Sequence, residues 1–169
     1  MTDTPRSDQP EPAPVLEDVG AFAEKLLQGQ RLLGLDLGTK TIGIALSDIG
    51  AVIASPLETL RRTKFTQDAK CLADIIAEHG VGAVVLGLPR NLDGSEGPRA
   101  QSTRAFARNL ARLHRQPILL WDERLTTAAA ERVLLDADTS RARRAEVVDK
   151  VAATLILQGA LDRLNELQR

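Results

Sequence analysis

Acidic residues stand at three separate places where a carboxylate could bind a metal ion. Asp36 lies within an apolar run, where a buried carboxylate is costly unless a partner compensates it. Asp122 and Glu123 follow the apolar run at 117–121, and the ends of such strands are the usual ligand sites of open α/β sheets. Asp149 begins a long helical pattern. We therefore expect acids from these places to meet at one edge of a sheet.

Carboxylates grouped in this way would suit Mg²⁺ or Mn²⁺, which prefer oxygen ligands and keep several bound waters. Two such ions, about 3.5–4 Å apart, can activate a water and stabilise the leaving oxygen of a phosphodiester. A zinc site is not indicated, because the chain has two histidines and one cysteine with no ligand spacing. The chemistry that the acids indicate is metal-dependent hydrolysis of a phosphodiester.

Each acid also has a purely structural interpretation. Asp36 could cap the turn that contains Gly38, and Asp149 could be an acid favoured by the positive end of a helix. Glu123 could end its strand in a surface pair with Arg124. The residues alone leave both interpretations open for each acid.

Basic residues form a second set of candidates. The helix predicted over 99–115 carries arginines at helical spacing, which could follow a nucleic-acid backbone or form the solvated face of an amphipathic helix. These are Arg104, Arg108, Arg112 and Arg115. A basic patch at 141–144 has the same two interpretations. The segment DLGTKTIG at 36–43 could hold phosphate through backbone amides, although it matches neither a P-loop nor a dinucleotide fingerprint.

The composition is that of an ordinary globular domain, since 43% of the 169 residues are apolar and 27% are charged. The net charge of −1 is unevenly distributed, because residues 1–30 hold six acidic and two basic residues and the remainder is mildly basic. Binding of polyanions through bulk charge is not expected, so a nucleic-acid surface would have to be local. Three Phe, one Trp and no Tyr argue against a platform of stacked aromatic rings.

Three features predict a cytoplasmic protein that does not cross a membrane. The lone Cys71 cannot pair within the chain, which fits a reducing compartment. No apolar run approaches the roughly 20 residues that a membrane span needs. The acidic N-terminus also lacks the apolar core of a secretory signal.

The element pattern predicts two parts. Residues 1–30 form an acidic, partly disordered N-terminal extension with a short helix at 15–28, and residues 31–169 form an α/β domain. Strands are predicted at 31–37, 41–47, 51–61, 82–88 and 117–121, and helices at 66–79, 99–115, 126–137 and 147–167, with a polar connection at 138–146. A three-strand meander followed by α–β units implies a single mixed five-stranded sheet flanked by helices on both faces.

Four segments of the chain form an ordered set of motifs: DLGTKTIGIALSD (36–48), GLPRNLDGSEG (87–97), DERLTT (122–127) and DKVAATLILQ (149–158). In that order they resemble the motifs of the YqgF/RuvX family, a RuvC-like branch of the ribonuclease H-like superfamily. The resemblance covers residues 31–162 and implies a ribonuclease H-like fold with its first strand in the middle of the sheet. It also implies a nuclease for the 5′ end of pre-16S ribosomal RNA, acting on structured RNA or a precursor of the small ribosomal subunit.

The resemblance implies that the catalytic, metal-binding acids are Asp36, Glu123 and Asp149, holding Mg²⁺ or Mn²⁺. Together with the basic candidates, it gives a set of expected substrate-binding residues: Lys40, Asn91, Asp93, Arg104, Arg108 and Arg124.

Two positions depart from the family pattern. Thr41 stands where the family usually has an arginine after the lysine, which removes one candidate phosphate contact. No acid ends the strand at 82–88, where the superfamily usually has its second ligand, and Glu123 comes from the neighbouring strand. Asp122 and Asp93 therefore stay open as alternative second ligands.

Three other functions remain to be weighed. A junction resolvase acting on branched DNA would use the same acids but should be a symmetric dimer, and the sequence leaves the oligomeric state open. A non-catalytic ribosome-assembly factor would tolerate loss of Asp36. An ATP-binding protein of the actin and sugar-kinase type would need two such domains, and the chain has room for one.

Overall fold

The computed structural model describes residues 10–126 and 141–168, with the backbone alone described for 141–149. Its elements in chain order are β1 (Val15–Leu16), α1 (Val19–Ala23), β2 (Arg31–Leu37), β3 (Thr41–Ser47), β4 (Ala54–Arg61), α2 (Phe65–His79), β5 (Val81–Leu88), α3 (Pro98–Leu113), β6 (Ile118–Asp122), a 3₁₀ turn (Glu123–Leu125) and α4 (Arg141–Leu167). The predicted helix at 126–137 lies outside the described residues beyond Thr126. No helix in the described part of the chain is long and apolar enough to cross a bilayer.

The sheet has six strands in the order β1-β6-β5-β2-β3-β4. Strands β2, β3 and β4 form an antiparallel meander, and β5, β6 and β1 run parallel to β2. The expected mixed sheet, with β2 between β5 and β3, is therefore confirmed. The edge strand β4 contains Pro56, opposite Ala45 at a register shift, and an edge is where a strand tolerates proline.

The prediction of five strands was wrong by one, because the segment at 15–16 forms an edge strand instead of starting a helix. Val15 pairs with Ile118, and the amide of Ile118 donates to the carbonyl of Pro14 at 2.9 Å. Strand β6 offers unpaired backbone groups at its edge, and the segment at 15–16 pairs with them. The predicted helix at 15–28 shortens accordingly to α1. The division of the chain at residue 30 stays a prediction, although Phe22 is fully buried against α4.

Helices cover both faces of the sheet. Helices α2 and α3 pack on one face and α1 and α4 on the other, so each face has its own apolar cluster. Helix α4 lies unusually close to β2: a Cβ atom at Gly34 would be 2.7 Å from Cβ of Leu157 and 3.0 Å from the carbonyl oxygen of Ala153. Since Leu164 packs in the cluster with Leu32, α4 runs antiparallel to β2. Its N-terminal half therefore lies toward the carboxyl end of β2.

Helix α4 begins at Arg141, six residues before its predicted start. The polar connection expected at 138–146 is thus helical from 141 onward. Asp149 lies two turns inside the helix, and the first turn of α4 contains no acidic residue. The interpretation of Asp149 as an acid at the positive end of a helix is therefore wrong.

Candidate active site

Asp36 is the acidic residue of the central strand, and its side chain is only 2% exposed. In the sheet it pairs with Gly43 of β3. On its other side, the register of Leu35 with Leu86 places Gly87 of β5 beside it. Because side chains alternate along a strand, Asp36 projects from the same face as Gly34, toward α4. The two flanking glycines contribute no side chains, so the carboxylate is not crowded by its neighbours in the sheet.

Glu123 is the buried acid of the 3₁₀ turn and is 8% exposed. Its Oε1 atom lies 2.7 Å from the point where a Cβ atom would stand at Gly87. Neighbouring strands are about 4.8 Å apart, so a carboxylate over Gly87 lies next to the side chain of Asp36. The fold thus brings together two of the three acids that the sequence indicated.

The two alternatives for the second acid have other partners. Asp122 receives the guanidinium of Arg124, with Nη2 2.7 Å from Oδ2, and also accepts the backbone amide of Arg124. The bond from Arg124 holds the pKa of Asp122 below its usual value. Asp93 accepts hydrogen bonds from the hydroxyl and the amide of Ser95, which lower its pKa. Of the three candidates, Glu123 is the one that the structure places beside Asp36.

The structure describes only the backbone of Asp149. It precedes Ala153 by one helical turn on α4, and positions 149, 153 and 156 share one face of the helix by periodicity. On that face Ile156 approaches within 2.5 Å of the Cβ position of Gly87. Since α4 runs antiparallel to β2, the backbone at 149 lies toward the end of β2 that carries Asp36.

The loop between β5 and α3 is held by its own hydrogen bonds. The amide of Asn91 donates to the carbonyl of Ser95, and the amide of Gly94 donates to that of Asn91, both at 2.9 Å. The Asn91 side-chain amide also donates to Ser95 Oγ at 2.9 Å. Gly94 has a φ of +87°, which favours glycine. Asn91 and Asp93, both expected at the substrate, therefore shape this loop, which presents Leu92 with 95% exposure.

The expected basic residues are distributed unevenly around this edge of the sheet. Lys40 is exposed in the turn that follows β2, on the side of Asp36. Arg124 bridges Asp122 and the loop, with Nη1 3.4 Å from the carbonyl of Leu92. Arg108 is exposed on α3, one turn farther from the loop than Arg104. The side chains of the basic patch at 141–144 lie outside the described residues.

Arg104 is held between two carboxylates. Its Nε is 2.6 Å from Glu96 Oε1 and its Nη2 is 2.8 Å from Glu17 Oε1. Arg90 joins the same group, 2.9 Å from Glu17 and 3.7 Å from Asp122. Sequence reasoning missed Arg90 and Glu17. The position of Arg90 in GLPRNLDG was an available signal, whereas nothing local indicated Glu17.

The donor atoms of this site suit a hard divalent cation. Asp36 and Glu123 offer carboxylate oxygens, the ligands that Mg²⁺ and Mn²⁺ prefer. The described side chains include no group of three His, Cys, Asp or Glu that could hold a metal, so a third protein ligand would have to come from outside them. The free Cys71 is exposed on α2. The two carboxylates fit Mg²⁺ or Mn²⁺ better than zinc.

The strand order, together with a buried acid on the central strand, defines a ribonuclease H-like protein of the RuvC type. RuvC of T. thermophilus, solved in complex with a Holliday junction substrate, has a similar fold: its TM-score is 0.52 at 12% identity, covering 80% of this chain and 96% of that one. The chain belongs to the RuvX family, whose model is described as a Holliday junction resolvase and matches residues 30–163.

Relatives with similar sequences are found in several bacteria. A protein of Paracoccus denitrificans is 63% identical over 92% of this chain and 98% of its own length, and carries the name "Putative pre-16S rRNA nuclease". Proteins of the same name from Cereibacter sphaeroides and Paramagnetospirillum magneticum are 63% and 61% identical, each over 96% of its own length. The similarity therefore extends over nearly the whole of each relative.

Proposed function

We propose that this protein is a metal-dependent nuclease that hydrolyses phosphodiester bonds at the 5′ end of pre-16S ribosomal RNA in the cytoplasm. The observation that carries the proposal is the meeting of two buried carboxylates, Asp36 and Glu123, over Gly87 at one edge of the sheet. The name shared by relatives about 60% identical to this chain supports the choice of substrate.

In this proposal Asp36, Glu123 and Asp149 hold Mg²⁺ or Mn²⁺. Such an ion, when bound, supplies charge stabilisation to the phosphoryl oxygens and lowers the pKa of water. Asp36 provides a fixed oxygen ligand, because its strand is central in the sheet and its side chain is buried. Glu123 is carried by a short turn in which Arg124 is tied to Asp122, the last residue of β6, and this pair keeps the turn in place.

The substrate would approach along the exposed rim above these acids. Lys40 lies after β2, and Arg124 and the loop of Asn91 and Asp93 lie after β6 and β5. Cations at both sides of the carboxylates would hold backbone phosphates on either side of the scissile bond. The rim thus positions the chain of a nucleic acid without reading its bases.

Branched DNA is the second candidate substrate. The description of the family model as a Holliday junction resolvase favours it. The acids and the metal would be the same, but two copies of the chain would have to present their sites to two strands.

One cleavage experiment tests the proposal. Wild-type protein, Asp36→Asn and the control Asp74→Asn are incubated with a pre-16S ribosomal RNA fragment or with a four-way DNA junction, each with Mg²⁺, Mn²⁺ or EDTA. Asp74 is exposed on α2, so its variant makes the same chemical change away from the site. We expect metal-dependent cutting of the RNA by the wild type and Asp74→Asn only. Cutting of the junction alone would establish the second substrate, and undiminished cutting by Asp36→Asn would refute the site.

A further inference from the structure

A single carboxylate oxygen is shared by two arginines at the rim of the candidate site. Oε1 of Glu17 lies 2.9 Å from Nη2 of Arg90 and 2.8 Å from Nη2 of Arg104. The two arginines come from the β5–α3 loop and from α3, whereas Glu17 comes from the segment between β1 and α1. Two guanidinium groups converging on one anionic oxygen form the arrangement with which proteins bind phosphate.

This arginine pair is close to the catalytic acids in the fold. Nη1 of Arg90 is 3.7 Å from Asp122, the residue before Glu123. Arg90 itself follows β5 by two residues, and β5 carries Gly87, over which Glu123 lies. An anion held by Arg90 and Arg104 would therefore sit at the same edge of the sheet as Asp36 and Glu123.

Arg90 and Arg104 together have N–H donors for more than one acceptor oxygen. Nε of Arg90 is buried and finds no acceptor among the residues that the structure describes. A buried donor left without a partner is unfavourable, and a phosphate group has more acceptor oxygens than the one Glu17 oxygen now shared. Arg104 is oriented from its other side by Glu96, with contacts of 2.6 and 2.8 Å, so it would stay in place if Glu17 left.

Glu17 can leave more readily than the arginines. Its side chain is 48% exposed, against 25% for Arg90 and 27% for Arg104. It is attached to a two-residue edge strand. Exposed ion pairs of this kind contribute little to stability, whereas each phosphate contact gains from the release of counterions.

We propose that Arg90 and Arg104 form a binding site for a backbone phosphate of the nucleic-acid substrate, and that Glu17 occupies this site until the substrate displaces it. The inference rests on the proposed nuclease function. Glu17 then competes, within the same molecule, with the substrate phosphate. It keeps the two arginines oriented and neutralises their charge in the free protein, and it thereby lowers the affinity for nucleic acid.

The test measures binding without cleavage. A fluorescein-labelled RNA copy of the 5′ end of pre-16S ribosomal RNA is titrated in EDTA, at 50 to 200 mM KCl, and followed by fluorescence anisotropy. We expect Glu17→Gln to bind more tightly than the wild type and to steepen the salt slope by up to about 0.7, because the wild type contacts the same phosphate but must first break a Glu17 ion pair, which salt weakens. The gain in affinity should therefore shrink by up to about threefold between 50 and 200 mM KCl.

Glu11→Gln is the matched control, because it removes one negative charge from the same exposed N-terminal segment. It should leave the affinity and the slope unchanged. The gain from Glu17→Gln should also disappear when Arg104→Ala is added, since the effect acts through that arginine. If Glu17→Gln does not fold, Glu17→Asp, which withdraws the carboxylate by one methylene, should give a smaller gain of the same sign.

Three results would overturn the inference. If Glu17→Gln and Arg104→Ala both bind as the wild type does, the arginine pair does not contact the RNA and the nuclease proposal is unaffected. If the gain persists in the Arg104→Ala background or appears equally in Glu11→Gln, it reflects general charge. If the wild type binds no RNA at any salt concentration, the proposed function fails and this inference fails with it.

Discussion

The Oε1 atom of Glu123 lies 2.7 Å from the point that a Cβ atom would occupy at Gly87, so the carboxylate uses the space left by a missing side chain. The same point is 2.5 Å from Cδ1 of Ile156 on α4. Gly87 therefore lies where β5, the 3₁₀ turn and α4 meet. Its neighbour in the sheet is Asp36, so the geometry of both acids depends on the absence of a side chain there.

Gly87→Ala should reduce activity much more than it reduces stability. The added methyl group would have to displace Ile156 or the Glu123 carboxylate, and such overpacking typically costs about 1–3 kcal/mol of unfolding free energy. A displacement of Glu123 by even about 1 Å can cost on the order of a hundredfold in rate. The measurements are urea unfolding and RNA cleavage under single-turnover conditions.

Gly20→Ala is the control for that substitution. A Cβ atom there would be 3.6 Å from its nearest neighbour, an oxygen of Asp18, and Gly20 lies within α1, where alanine is the better helix former by up to about 1 kcal/mol. We expect unchanged cleavage and equal or higher stability. Equal activity in Gly87→Ala and Gly20→Ala would show that Glu123 does not need its present position.

Metal should stabilise the wild type but not Asp36→Asn, so the difference in stability between the two proteins should depend on whether metal is present. Asp36 and Glu123 place two carboxylates together in a buried site, so removing one negative charge should leave the metal-free protein as stable as the wild type or more so. Mn²⁺ at about 100 times its dissociation constant would add about 2.7 kcal/mol to the wild type alone.

Thermal unfolding in EDTA and in Mn²⁺, for both proteins, measures this change. Asp74→Asn, exposed on α2, serves again as the control and should follow the wild type in both conditions. An equal rise in melting temperature for wild type and Asp36→Asn would mean that the ion binds elsewhere.

Local patterns were enough to predict the part of the fold that carries Asp36. The hairpin of β2 and β3 has the bounds predicted from sequence, because two short, largely apolar runs and the glycine-containing turn between them are properties of the segment itself. Helix α2 ends at His79, as predicted, because Gly80 after it adopts the left-handed conformation (φ of +63°) that commonly ends a helix. Asp36 stood out because a carboxylate inside such a strand breaks the pattern.

Features that depend on distant residues were not predicted. Strand β1 forms because β6, about 100 residues later, presents a free edge, and the sequence at 15–28 favoured a helix. Glu17 contacts Arg104 across 87 residues. The residues alone left Glu123 and Asp122 both open, and only the family resemblance favoured Glu123, because the gap at Gly87 that accommodates its carboxylate forms only once β5 and the turn are packed together.

Arg124→Ala should raise KM more than it lowers kcat. Arg124 joins the end of β6 to the loop of Leu92 through Asp122 and the Leu92 carbonyl, so its loss frees the loop that borders the site. Arg124→Lys should recover little, because lysine cannot make the paired contacts of a guanidinium. Stability should change little, since the pair is at the surface.

Steady-state cleavage of the pre-16S RNA fragment gives both constants. Arg163→Ala is the control, because Arg163 also forms a surface pair, with Glu166 at 3.1 Å, but at the far end of α4. It should leave KM unchanged. A loss confined to kcat in Arg124→Ala would instead assign Arg124 to the chemical step.

The acids around Arg104 should make the folded state sensitive to low pH. Its hydrogen bonds hold the pKa values of Glu96 and Glu17 below their usual value. A carboxyl whose pKa is lowered by folding adds stability above its unfolded pKa, about 4.3 for Glu, and loses it as the pH falls through the folded pKa. Arg104→Ala removes the largest cause of both shifts and leaves only the weaker influence of Arg90. It should therefore lower the melting temperature at pH 7 and flatten its decline between about pH 5 and pH 3.

Melting curves of wild type and Arg104→Ala across this range measure the difference, with Arg163→Ala as the control for loss of a surface arginine. Parallel pH profiles for wild type and Arg104→Ala would show that the pair contributes nothing to the acid sensitivity of the fold.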